Sequence, residues 1–180
     1  TDNFAAMEKL VRHLAAAHCR SIGLVGIDEV DATSLKERRR GFYETVKALG
    51  LSVCEECRLP VYAENATDSG LKPEVMKHLT TYFTRNGEKL DAVICSEYGV
   101  VRETVHVLEK LGIRLHQDIQ LCCIDEDYLA PGGFSFTHMK QDEEKIGEHA
   151  FALLQKKMER EPLQGEDYLI PAIFRERQPL

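Results

Sequence analysis

The 180-residue sequence predicts an α/β fold, a doubly wound parallel sheet in three αβα layers. Three observations carry that expectation. Short apolar runs ("IGLVGI", "DAVIC", "DIQLCCID") recur along the chain, each too brief for a helix and bounded by polar or turn residues. Between them lie stretches whose apolar side chains repeat at helical spacing. Strands separated by helices are joined by right-handed crossovers and therefore run parallel.

Taken in order, residues 3–17 place Phe4, Met7, Leu10, Val11 and Leu14 on one helical face, with Asp2 or Asn3 as the cap. "IGLVGI" (22–27) is a buried strand. Thr33 or Ser34 is expected to cap a second helix that runs to Leu49 and is closed by Gly50. "LSVCEECRLP" alternates and stops at proline, so it reads as one strand. A third helix is expected over 71–84, with "GEKL" leading into "DAVIC", and a fourth over 97–111, ending at Gly112. After the strand "DIQLCCID", Pro131 breaks the chain; a short strand follows over 134–139 and a fifth helix over 142–160. Pro162 and Gly165 mark a turn, and "YLIPAIF" is a last extended segment.

Composition narrows the function. With 43% hydrophobic and 29% charged residues, the chain is that of an ordinary soluble domain. A formal charge of −7 counts against nucleic-acid binding by these residues, because neutralising phosphates requires a basic face. Apolar runs fall far below the roughly 20 residues of a membrane span, so no membrane contact is expected. No secretory signal is visible, and a chain opening on Thr1 is expected to be part of a longer protein. The six cysteines form no secreted framework, and Cys95, Cys122 and Cys123 sit in apolar runs; a reducing, cytoplasmic location is expected.

Reactive motifs are weak. "CEEC" (Cys54 to Cys57) lacks the following helix of a redox motif and the second pair of a zinc site, so its role reads as structural. Seven histidines are scattered without an i, i+4 pair. "IDEDY" lacks the glycine and distal glutamate of a calcium loop, and "GLVGID" the spaced glycines and lysine of a phosphate loop. No catalytic dyad is legible, so neither enzyme activity, metal nor cofactor is expected.

In open α/β sheets ligands sit outside the carboxyl ends of the strands. Those ends are polar here: Asp28, Ser96–Glu97, Asp125–Glu126–Asp127, and the turn at Lys140–Gln141. The stretch "SLKERRRGF" adds three arginines near a helix start. At roughly 100° per residue, Leu35, Phe42, Val46 and Leu49 form one stripe; Arg38 and Arg39 flank it, and Arg40 points to solvent. Spacing does not separate Arg38 from Arg39. Either can lay its methylenes along the core edge with the guanidinium in water.

The order of several motifs resembles the effector-binding core of the lactose/galactose-repressor (LacI/GalR) family of bacterial transcription regulators, whose fold is that of the type I periplasmic sugar-binding proteins. "DNFAAMEKLVRHLAAAHCRSI" is similar to the family's opening helix and strand, and "RRRGF" to its Arg-x-x-Gly-Phe. "DAVICSEYGV", "LGIRLHQDIQLCCIDED", "FTHMKQDEEKIGEHAFALL" and "LIPAIFRERQP" resemble its later segments in order. The resemblance implies that residues 1–141 form the carboxy-terminal lobe, and that 142–180 supply a helix and closing strand shared with an absent amino-terminal lobe. It implies a small, sugar-like effector, a homodimer, and DNA contact only through a head outside this sequence, which is of the lactose-repressor or the GntR type. A periplasmic receptor of a transporter is the rival with the same fold.

By this resemblance Arg38 donates to ligand oxygens, Asp125 accepts from ligand hydroxyls, and Gln141 adds an amide, while Ser96 stands for the family's asparagine and Glu97 for its aspartate. His138, which replaces a threonine, is a further candidate contact. Arg39 is expected at the core edge with its charge in water. Other departures are His18-Cys19 for Gly-His, Arg102 for a glycine, His116 for a proline, Cys123 for a glycine and Pro179 for a serine. Without its usual lobe, the fifth helix is expected to pack differently or to bury Ile146, Ala150, Leu153 and Leu154 against another chain.

Overall fold

The computed structural model describes residues 1–28, 32–60, 73–125, 136–161 and 168–177. Helix α1 (Asn3–Ala16) buries Met7, Leu10, Val11 and Leu14, and Asp2 caps it by accepting from the Ala5 N–H at 2.9 Å. The turn into strand β1 (Ser21–Ile27) passes through His18 at φ 66°. That left-handed backbone suits glycine best, which accounts for the glycine of the resembled family at this position.

Helix α2 (Thr33–Leu49) corrects one expectation. Ala32, not Thr33 or Ser34, is the cap residue, and no side chain bonds there, because Thr33 already carries helical geometry. Gly50 closes the helix at φ 63°, as its position implied. A second correction follows. "LSVCEECRLP" is not one strand but two, β2 (Ser52–Val53) and β3 (Cys57–Leu59), both parallel to β1. Ile22 pairs with Val53 and Val25 with Cys57, so the edge chain has one more residue than β1 over that span. An extra residue bulges out of a ladder and breaks the alternation of faces.

Helix α3 (Pro73–Asn86) and a 3-10 turn (Gly87–Lys89) lead into β4 (Ala92–Cys95). The fourth helix begins later than its pattern suggested: residues 98–100 form a 3-10 turn before α4 (Val101–Lys110). Strands β5 (Gln120–Ile124) and β6 (Thr137–Lys140) follow, then α5 (Glu143–Met158), which Asp142 caps, and β7 (Ile173–Arg175). The expected breaks at Pro131, and at Pro162 and Gly165, lie outside the described residues.

The sheet order is β2-β1-β4-β5-β6-β7, with β3 also on β1; every pairing is parallel except β6 with β7. Because successive strand residues point to opposite faces, Leu24 and Val25 enter different cores. Ile22, Leu24, Ile94 and Cys122 pack under α1 and α2 with Met7, Leu10 and Phe42. Val25, Val93 and Leu121 pack under α3 and α4 with Leu79, Phe83 and Leu108. Three layers result. Helices α1 and α2 cross closely at Gly41, where a Cβ would come within 2.6 Å of the Phe4 carbonyl. Helix α5 buries none of its residues, and Phe151, Leu154 and Met158 are 62%, 53% and 75% exposed. Among the described residues no helix is long and apolar enough to cross a membrane.

Candidate functional site

From β1 the chain moves outward to β2 and β3, then returns across β1 to β4 on its other side. Strand order reverses there, and the chain leaving β1 turns to α2 on one face while that leaving β4 turns to α4 on the other, which opens the crevice where such sheets bind ligands. Arg38 of α2 fills the near wall. It is 6% exposed, and donates from Nη1 to the Ser96 carbonyl at 2.7 Å and from Nε to Asn3 Oδ1 at 2.8 Å. Its Nη2 stands 3.7 Å from Asp125 Oδ2. Burial lowers the Arg38 pKa, and the charges of Asp125 and then Glu97 oppose that shift. A guanidinium survives such burial as a cation.

Asp125, the residue after β5, has φ 75°, and its N–H donates to the Met139 carbonyl at 2.8 Å. A non-glycine residue held in left-handed backbone is strained, and strain of this kind gathers at functional sites. Ser96 contributes differently from what its polar side chain implies. Its hydroxyl is buried without a hydrogen-bond partner among the described residues, in a place where a Cβ on Gly26 would approach it to 2.9 Å. What Ser96 gives the site is its carbonyl, as the anchor of Arg38. Glu97 is half-buried and acts on Arg38 through its charge.

Two further candidates hold other contacts. Gln141 Oε1 accepts from the Thr1 hydroxyl at 2.6 Å. His138 lies with Nδ1 3.1 Å from the Phe136 carbonyl and its ring 5.8 Å from the Phe136 ring. The contacts therefore gather Arg38, Ser96 and Asp125, with Glu97 felt electrostatically, while Gln141 and His138 attach to neighbouring segments. Asn3 was not anticipated. It bridges Arg38 and the chain start, its Nδ2 donating to the Thr1 carbonyl at 3.1 Å. Its signal in the sequence was the Asp-Asn opening of α1, read there only as a cap.

The other arginines divide sharply. Arg39 does not keep its charge in water: Nε donates to Glu56 Oε1 at 2.7 Å and Nη2 to the Ile27 carbonyl at 2.5 Å. The bulged edge strand brings the Glu56 carboxylate, 3% exposed, into reach. Arg40 is half-exposed; it pairs with Glu37 at 2.6 Å and lies over the Phe4 ring at 4.3 Å.

Chemically, the crevice offers a cation already balanced by carboxylates, together with hydrogen-bond acceptors at Asp125. That arrangement suits the hydroxyls of a neutral polar ligand better than an anion. Among the described residues no group of three His, Cys, Asp or Glu side chains could hold a metal ion.

The sequence from 11 to 178 matches the model of the periplasmic binding protein-like domain. No curated protein sequence matches it. Solved structures share the fold. A periplasmic binding protein/LacI transcriptional regulator from Alkaliphilus metalliredigens, complexed with D-xylulofuranose, is 20% identical with a TM-score of 0.77, over 99% of this chain and 63% of its own. The Escherichia coli transcriptional repressor ascG is 14% identical with a TM-score of 0.79, over 100% and 62%. A LacI family regulator from Arthrobacter sp. FB24, in complex with lactose, is 16% identical with a TM-score of 0.76, over 98% and 62%. The chain thus spans less than two thirds of the length of these neighbours. With 168 consecutive residues (11 to 178) under one family model, the chain belongs to the periplasmic binding protein-like domain family.

Proposed function

We propose that this chain is the ligand-sensing lobe of a LacI-type transcription regulator and binds a small, neutral, sugar-like effector. The observation that carries the reading is the convergence of Arg38, the Ser96 carbonyl and the strained Asp125 at the switch point of the sheet. Residues 1–141 act as one lobe. Residues 142–180 cross toward a second lobe that lies outside this sequence. The regulator works as a homodimer in the cytoplasm and meets DNA through a separate head, performing no chemistry on its ligand. The sugar complexes of the Alkaliphilus and Arthrobacter neighbours support the ligand class.

The effector closes the two lobes on each other. To change DNA affinity it must bind the closed and open arrangements unequally, and a typical coupling alters affinity about 5–150-fold. The test is operator binding by the protein with its head, measured against a panel of neutral mono- and disaccharides. At least one sugar is expected to shift the operator affinity by about 5-fold or more. No shift with any of them contradicts the reading.

A further inference from the structure

Away from the cleft, a groove of about 1010 Å³ runs along the outer edge of the sheet, between α3 and the bulge that separates β2 from β3. It shares no lining residue with the crevice around Arg38. We infer that this edge groove is a second binding site, specific for a small polyanion.

Charge carries the inference. The protein as a whole has a formal charge of −7, yet Arg58, Lys77 and Arg85 all face this groove. Of the two carboxylates among its walls, Glu56 is already engaged by Arg39 at 2.7 Å. Arg58 is partly engaged, its Nε 3.3 Å from the other Glu56 oxygen without the alignment of a hydrogen bond and its Nη1 3.5 Å from Asp28 Oδ1, which leaves Lys77 and Arg85 as the groove's main free charges. The cations on α3 share one ridge, because Lys77 and Arg85 lie about two turns apart and project to the same side. Clustered cations in a concave wall focus potential and draw an anion in from an otherwise repelling surface.

Tyr82 lines the groove, but its hydroxyl is fully buried beside Gly23 of β1 and closed to a ligand, so charge alone selects the occupant. The volume suits a small metabolite. The bulge interrupts the ladder of the edge strand, so an extended peptide finds no continuous row of backbone partners here. Of the two thiols that line the groove, Cys57 is held inert, because burial pushes it up to about 12. A thiol so protonated is a poor nucleophile at neutral pH.

The test titrates the protein with pyrophosphate and, separately, citrate in low-salt chloride buffer, by calorimetry. The two arms identify the anion as phosphate or carboxylate. At least one is expected to bind. Lys77→Gln/Arg85→Gln should weaken that binding at least 10-fold, and Lys77→Arg/Arg85→Lys, which keeps both charges, should preserve it. Arg38→Ala should leave it unchanged, which separates this site from the sugar cleft. The inference is overturned if neither anion binds, if the charge-removing pair retains full affinity, or if Arg38→Ala abolishes binding. Because both α3 positions are exposed, an unchanged thermal midpoint verifies that each variant folds.

Discussion

Three consecutive arginines meet three different fates, and burial decides among them. Arg38 is buried and anchored on Ser96 and Asn3; Arg39 ties α2 to the edge strand through Glu56; Arg40 lies half in solvent between glutamates. Removing Arg39 strands a buried carboxylate with only the looser Arg58 contact, so Arg39→Ala should cost about 1–3 kcal/mol in chemical denaturation. Arg40→Ala should fall within about 0.5 kcal/mol of the parent, as exposed pairs contribute little. At His18 the left-handed backbone predicts the opposite sign. His18→Gly relieves strain at an exposed position and should raise stability by roughly 0.5 kcal/mol. Cysteine burial makes another residue-scale prediction. Cys54 alone is not buried, and burial pushes the Cys57 and Cys95 thiols up to about 12. Native protein titrated with a thiol reagent at pH 8 should therefore show one fast thiol, lost in Cys54→Ser.

At the scale of elements, the close crossing of α1 and α2 links packing to function. The helices meet at Gly41, the glycine of the "RRRGF" stretch, and α1 carries the Asn3 that holds Arg38. A methyl there would drive into the Phe4 carbonyl, which belongs to backbone and cannot swing aside. Gly41→Ala should cost about 1–3 kcal/mol and also weaken ligand binding, because separating the helices moves Asn3 away from the guanidinium.

Element positions were largely legible because periodicity and turn residues speak locally: Gly50 and Gly112 end α2 and α4 at positive φ. The edge strand was not, since the alternation of "LSVCEECRLP" carries no mark of its extra residue; only pairing with β1 exposes it. The inward turn of the Ser96 hydroxyl was readable in principle. Cys95 faces the α3 and α4 core, so its neighbour must face the other. The Asp-Asn opening of α1 marks Asn3 only as a cap, because its contact with Arg38, across 35 residues, leaves no trace in spacing. Arg38 was separated from Arg39 by family resemblance alone, and the physical basis of the choice, a buried carbonyl anchor against a bulge carboxylate, exists only in the fold.

Among the described residues, helices and sheet pack in three layers with one helix left outside them. Helix α5 shows Phe151, Leu154 and Met158 to solvent and has no buried residue of its own. Phe151→Glu/Leu154→Glu should therefore leave the thermal midpoint within about 2 °C, whereas the same change at Phe42, fully buried, should unfold the protein. The account's central claim is that ligand enters the crevice at Arg38. Thermal unfolding with saturating neutral sugars, compared between the parent and Arg38→Ala, tests it most directly. A ligand at about 100 times its Kd adds about 2.7 kcal/mol, or roughly 5–10 °C for a domain of this size. At least one sugar should raise the parent midpoint by that amount and leave Arg38→Ala unmoved; an equal rise in both would contradict the claim.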